Sequence, residues 1–280
     1  MGVMSELRII DVEQRSEAWY AARCGIVTAS VMKDLVTIGA PDATAVACPT
    51  CDVAAGAPCL AVGRKTPTPI KAFHDDRAAK ARTLPPVYAP ADNDTSKALI
   101  LALAAERIAN HVEDTPTNRD MWRGIESEPY ARDLYAEHCT DRPVTEAGFM
   151  IRQFIGNEWV FDIGYSPDGL VGDDGLIEIK APRQKGHLST IVTGEIPAQH
   201  MAQLQTALLV SGRKWIDFVS YCGGMHLWPK RVTPDPAWQA AILAAAEKAE
   251  ADIAGHAATH QRATKGLPLA ERIDFNMEIF

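Results

Sequence analysis

Two short runs, Ser166-Pro167-Asp168-Gly169-Leu170 and Glu178-Ile179-Lys180-Ala181-Pro182, constrain this chain more than any other feature. Residues 159–165 alternate as a strand does, Gly172-Asp173-Asp174-Gly175 is strong hairpin punctuation, and residues 176–180 read as the returning strand. Side chains on a strand alternate faces, so Glu178 and Lys180 project together while Ile179 points into the core. One hairpin thereby presents Asp168, Glu178 and Lys180. Two carboxylates beside an ammonium are costly to gather without a cation between them, and a hard divalent ion such as Mg²⁺ takes oxygen ligands of this kind. Such equipment suits phosphodiester cleavage. An isolated E-x-K is more often a solvated surface hairpin; the Pro167-Asp168 pair upstream is what favours a site.

A chain of 280 residues with 47% hydrophobic content can bury one main core plus an appendage. No apolar run approaches the length of a membrane span, and residues 1–8 lack the hydrophobic stretch of a signal peptide, so a cytoplasmic protein without membrane contact is expected. A net charge of -8 argues against a uniformly basic surface, yet a protein that handles nucleic acid needs only a locally positive groove. Cys24, Cys139 and Cys222 are scattered, whereas Cys48, Cys51 and Cys59 are clustered, a metal pattern more than a disulfide framework.

The clustered cysteines lie in residues 38–96, which are rich in Pro, Gly and Thr and have no sustained periodicity. This segment reads as an insertion. Cys48-Pro49-Thr50-Cys51 fixes two thiolates on one knuckle, and Cys59 and His74 can complete a tetrahedral Zn²⁺ site that staples a segment too small for its own core. His74 is the least constrained ligand, because its spacing is the widest. Four protein ligands leave no open position, so such zinc is structural. The form CPxC, GxPC, HxxR resembles a compact zinc-binding module of phage proteins. Arg64, Lys65, Lys71, Arg77, Lys80 and Arg82 read first as a solvated basic face, with contact to DNA or a partner as the alternative.

Elsewhere, Ser16 is a plausible N-cap for a short helix over 16–23 that closes at Gly25, and a second helix is expected near Thr28-Ala29-Ser30. A core helix is expected over 96–111, with Leu99, Leu103, Ile108 and Val112 on its apolar stripe, and another helix over 122–138. Strands are expected at 144–152, 159–165, 215–221 and 225–231, with a helix at 197–210 and an Ala-rich helix from Asp235-Pro236 to about His260. The apolar tail 273–280 should dock somewhere. The order of helix, hairpin strands, helix and strands fits an α/β core.

Pro167-Asp168 followed by Glu178-x-Lys180 has the form of the PD-(D/E)xK nuclease signature, and the strings SPDGL and EIKAP resemble the lambda exonuclease and YqaJ-like viral recombinase family. The resemblance spans roughly residues 14–36 and 97–232. It implies a restriction-endonuclease-like fold, a central mixed β-sheet flanked by helices, with the zinc-stapled insertion as a departure. The corresponding divisions are residues 1–37 and 97–234 for the nuclease, 38–96 for the insertion and 235–280 for a C-terminal helix and tail. Arg15, Ser16, Trp19, Arg23, Gly25, Thr28, Ala29 and Ser30 stand at the places of the family's N-terminal signature, which implies that Arg23 and Ser30 hold the 5′-phosphate of the substrate strand. Gly124, Glu128, Ala131 and Arg132 match the family's helix, whose Glu reaches the metal site. Gln203 falls on its QxQ-like helix, where it supports the lysine or the water, although a polar helix-face residue is nearly as good a reading without that context.

The implied activity is metal-dependent 5′-to-3′ degradation of one strand of linear double-stranded DNA in phage-type homologous recombination. Asp168, Glu178 and the Ile179 carbonyl would hold Mg²⁺ or Mn²⁺, with Glu128 and Asp168 helping to hold a second ion. The resemblance further implies a homotrimer, a single-strand annealing protein as partner, and a phage or prophage gene in a bacterial host. Two rivals stand beside it. One is a non-catalytic DNA-binding recombination scaffold, which would have no use for a cluster of negative charge facing DNA. The other is an iron–sulfur Cas-type nuclease, whose family places one cysteine early and three late, unlike the early cluster here.

Overall fold

The computed structural model describes residues 3–63, 66–113 and 118–272; Arg64, Lys65 and the apolar tail 273–280 lie outside the described residues. In chain order the elements are β1 (Val3–Ile10), α1 (Glu17–Arg23), β2 (Val27–Thr28), β3 (Val36–Gly39), α2 (Asp75–Ala81), β4 (Val87–Pro90), α3 (Asp94–Ala109) and α4 (Arg119–His138). Then come β5 (Val144–Thr145), β6 (Phe149–Ile155), β7 (Val160–Tyr165), β8 (Gly169–Val171), β9 (Gly175–Lys180), α5 (Gln184–Thr193), α6 (Met201–Ser211), β10 (Trp215–Ser220), β11 (Trp228–Val232) and α7 (Pro236–Ala263). The architecture is mixed α/β, and its main strands form two mixed sheets, β1-β6-β7-β2 and β11-β10-β9-β8-β5, beside a β3-β4 ribbon.

The turn expected at 172–175 and the returning strand β9 are present, but the strand that pairs with β9 across that turn is β8, antiparallel with Leu170 opposite Leu176, and not residues 159–165: β7 lies in the other sheet, between β6 and β2. On its other edge β9 runs parallel to β10, with Glu178 opposite Phe218 and Lys180 opposite Ser220. Alternation along β9 sorts its side chains as the period of two requires. Leu176 joins the large core with Phe218, Leu204 and Leu208, while Ile177 and Ile179 pack with Ala131 and Tyr135 of α4. The sheet is thus held between α6 and α4, and Glu178 and Lys180 share the α6 side. The large core continues through Met150, Phe154 and Ile163 of the other sheet to Ile100 of α3 and Trp238 and Ile242 of α7.

Local signals set several boundaries. Ser16 caps α1 by accepting from the Trp19 amide at 3.2 Å, and Asn93 and Ser96 form a reciprocal capping box that opens α3. The helix expected near Thr28 is absent: Val27 and Thr28 pair in parallel with Ile163 and Gly164, and the Ala29 amide extends that ladder to the Gly164 carbonyl at 2.9 Å. Two β-branched residues beside an open strand edge outweigh a helix start. Only a 3-10 turn, Met32–Asp34, follows. On α3 the buried stripe is Ser96, Ile100, Leu103 and Ala104, whereas Ile108 is exposed. Strands β1, β3, β4 and β8 and helices α2 and α5 are additions to the elements read from the sequence, and the single strand expected over 144–152 is divided between β5 and β6, which lie in different sheets.

Candidate active site and metal centre

Strand β9 and the loop before β8 build the chemistry. Glu178 is 1% exposed, and its Oε1 accepts from Lys180 Nζ and from Gln203 Nε2 of α6, both at 2.5 Å. Tyr165, at the end of β7, donates its hydroxyl to Glu178 Oε2 at 3.4 Å. Asp168 Oδ2 accepts from the Ile179 amide at 2.7 Å, which ties the loop to the returning strand. Burial, then the neighbouring Glu178, pushes the Asp168 carboxyl well above its ordinary range. For Lys180 burial opposes the charged form, but Glu178, Asp168 and Glu128 outweigh it and raise its pKa, so it is an ammonium. Burial and Glu178 likewise hold Tyr165 as a neutral phenol.

Glu128 enters from α4. Its Oε1 accepts from Arg132 Nη2 at 2.6 Å and its Oε2 from Arg15 Nη2 at 3.2 Å. Arg132 also donates Nε to the Asp168 carbonyl at 2.7 Å and pairs with Glu146, so one guanidinium binds α4 to the loop that carries Asp168. Lys180 and Gln203 therefore bond Glu178 directly, Asp168 is held beside them through the Ile179 amide, and Glu128 is engaged by two arginines.

Arg15, Glu128, Tyr165, Asp168, Glu178, Lys180 and Gln203 line one cleft of about 940 Å³, and Arg23 and Ser30 line it too. Arg23 lies over the Trp19 ring at 4.2 Å and donates to Thr28 Oγ1 at 3.4 Å, and Thr28 in turn shares a 3.1 Å hydrogen bond with Ser30. The Trp19 indole donates to Ser166 Oγ at 2.8 Å, connecting α1 to the Ser166-Pro167-Asp168 loop. Burial lowers the Arg23 pKa, against the pull of Glu106. Sequence reasoning gave no role to Arg15, Arg132, Tyr165 or His200. His200 stacks near Phe218 at 5.3 Å, and burial, with Lys180 nearby, pushes it down to about 4, so its imidazole is neutral. Arg15 and Arg132 stand within quoted motif strings, but only the fold shows that both grip Glu128.

None of the residues of the second cluster lines that cleft. Among the described residues, Cys48, Cys51, Cys59 and His74 are the set of three or more metal-binding side chains that converge, their ligand atoms all within 4.8 Å of one another. Cys48 Sγ lies 3.3 Å from His74 Nδ1, and the Leu60 amide points at Cys51 Sγ at 3.4 Å. Three thiolates and an imidazole at this spacing match a closed tetrahedral zinc site. Arg77 corrects the reading of a basic face. It is fully buried and donates to the carbonyls of Val46, Ala57 and Ala54 at 2.9, 2.8 and 3.2 Å and to Cys59 Sγ at 3.4 Å. Burial alone would raise the Cys59 thiol, but bonds from the His74 backbone and from Arg77 favour the thiolate, and the net shift is downward.

Residues 89–214 match the family model of the YqaJ-like viral recombinase domain, and residues 14–94 match one described as "Putative DNA-binding phage zinc finger domain". Glu128, Asp168, Glu178, Lys180 and Gln203 fall in the first match; Arg23, Ser30 and the Cys₃His cluster fall in the second. Among solved structures the chain is similar to an alkaline exonuclease, LHK-Exo, from Laribacter hongkongensis, at 28% identity and a TM-score of 0.60, covering 90% of this chain and 100% of that one. LHK-Exo in complex with dAMP matches over the same shares, at 28% identity and a TM-score of 0.61. No curated protein matches the chain.

Proposed function

We propose that the chain is a phage-type DNA exonuclease acting in recombination, which hydrolyses one strand of linear duplex DNA from its 5′ end. The observation that carries this reading is that Asp168, Glu178, Lys180 and Gln203 line one cleft that Arg23 also lines, with Lys180 and Gln203 bonded to Glu178 and Asp168 bonded to the Ile179 amide. The YqaJ-like match and the likeness to an alkaline exonuclease support it. Asp168, Glu178 and the Ile179 carbonyl are an all-oxygen donor set suited to Mg²⁺ or Mn²⁺, and Mg²⁺ commonly binds through one or two carboxylates and retains waters. When bound, the ion supplies Lewis-acid polarisation of a phosphoryl oxygen. Glu128 would add a third carboxylate on releasing its arginines.

Within this scheme Lys180 orients the attacking water and offsets charge developing on the phosphorane, and Gln203 fixes Glu178 for that task. Water oxygen bonds to phosphorus as the bond to the leaving oxygen breaks, releasing a nucleoside monophosphate; LHK-Exo is known in complex with one, dAMP. Arg23, with Ser30 and Thr28, holds the terminal phosphate, which a guanidinium fork fits. Cys48, Cys51, Cys59 and His74 hold one structural Zn²⁺. The protein works in the cytoplasm of a bacterial host as a homotrimer, beside a single-strand annealing protein.

The test uses linear duplexes labelled at the 5′ or the 3′ end, with and without 5′-phosphate, incubated with Mg²⁺. Wild type should release mononucleotides from the phosphorylated 5′ end, and Lys180→Ala should lose hydrolysis by orders of magnitude while still binding DNA. A Lys180→Ala protein that digests duplexes at the wild-type rate overturns the assignment.

A further inference from the structure

Residues 13–16 form a tight turn, closed by the Ser16 amide on the Glu13 carbonyl at 3.2 Å. Its third residue is Arg15, with φ of 71°. Turns of this kind favour glycine there, because any side chain meets the backbone at positive φ. Both neighbours are pinned: Gln14 donates Nε2 to the Pro167 carbonyl at 2.9 Å, and Ser16 caps α1 and donates to Glu13. The strained backbone thereby places Arg15 in the lining of the proposed catalytic cleft.

What that guanidinium does there is not structural in the usual sense. Among the described residues its one hydrogen bond is the 3.2 Å contact to Glu128 Oε2, while Arg132 already holds Glu128 Oε1 at 2.6 Å. The Arg15 side chain is 43% exposed, against 14% for Arg132. Arg15 is thus the more exposed second cation on a carboxylate that is already paired, and it lines the cleft. A planar fork with free donors matches a phosphate.

We propose that Arg15 is a substrate-binding residue that grips a backbone phosphate of the DNA strand beside the Asp168–Glu178 site, leaving Glu128 as it does so. The proposal rests on the nuclease reading above and adds a contact to it.

Arg15→Gly is the informative variant, since glycine relieves the strained turn while removing the guanidinium. Its thermal midpoint should equal or exceed that of wild type. Hydrolysis of phosphorylated duplex under Mg²⁺ should fall by about 10- to 100-fold, as expected for loss of a charge-assisted hydrogen bond, with Arg15→Lys falling less. Duplex binding measured in metal-free buffer across a salt series should have a slope of log K against log salt shallower by about 0.9, one phosphate contact fewer. An unchanged slope overturns the proposal, and if hydrolysis has nonetheless dropped, Arg15 acts only through Glu128. A lowered midpoint also overturns it, as Arg15 is then a structural residue. If wild type cuts no DNA, the nuclease reading falls, whereas the salt slope still reports on Arg15.

Discussion

Arg77 shows how far a residue's role can lie from its type. A lysine-like reading places it on a basic face, yet it sits buried under the Cys₃His cluster, spending its donors on three carbonyls and a sulfur. Partners that orient metal ligands commonly alter affinity by about 10- to 100-fold when removed. Arg77→Leu should therefore weaken zinc retention to about that extent, read as faster transfer to a chromophoric chelator, without changing cleavage of short duplexes; unaltered retention would deny Arg77 this role. At the same scale, the shared face of Glu178 and Lys180 was legible, because strand alternation dictates it from spacing alone. The burial of Arg77 and the positive φ of Arg15 were not. Both depend on backbone paths set by distant segments, and no local pattern announces them.

Among elements, the α1–β2 connection best shows packing overruling local preference. Gly25 takes φ of 64°, its amide donates to Glu106 Oε2 at 2.8 Å, and its carbonyl accepts from Arg107 Nε at 2.7 Å. Arg107 is in turn held by Glu250 of α7 at 2.5 and 2.6 Å. The turn that follows Arg23 is thereby clamped by α3 and α7. A Cβ at Gly25 would come within 2.2 Å of Arg107 Cγ in a backbone conformation that disfavours side chains. Gly25→Ala should lower stability by roughly 1–3 kcal/mol, visible as a reduced denaturant midpoint at unchanged slope. An unshifted midpoint would mean that the clamp yields. The glycine was legible as the end of α1; the missing helix at Thr28 was not, since the deciding partner is β7, more than a hundred residues away in the chain. Helix α5 escaped notice for a related reason. It opens Gln-Lys-Gly-His and closes with β-branched residues, so it lacks a strong helical signature, and its buried His187 is fixed by Ser220 Oγ at 2.8 Å and the His226 carbonyl at 2.9 Å.

For the molecule as a whole, the order of elements was readable while the pairing of strands was not, because alternation says which face is buried and nothing about which strand lies alongside. Two mixed sheets resulted where one was expected. The net charge of -8 was equally silent about the cleft, which Arg15, Arg23 and Lys180 line together with Glu128, Asp168 and Glu178. The separation of the two proposed metal sites has a consequence for the entire chain. Thiolates and imidazole select zinc, carboxylates and carbonyls select magnesium, and none of Cys48, Cys51, Cys59 or His74 lines the cleft. Dialysis into metal-free buffer should abolish cleavage and leave about one zinc per chain, as a closed four-ligand site retains its ion. Added Mg²⁺ should restore cleavage, and added Zn²⁺ should not. Conversely, Cys48→Ser with Cys51→Ser should remove the zinc and open residues 45–80 to protease, while Mg²⁺-dependent cutting of short duplexes persists. Elemental analysis beside the same cleavage assay checks both arms. Zinc undiminished in the double variant would place the metal elsewhere. Cleavage lost together with zinc, in a protein whose core still resists protease, would show that the insertion serves the catalytic cleft and is more than a staple for its own fold.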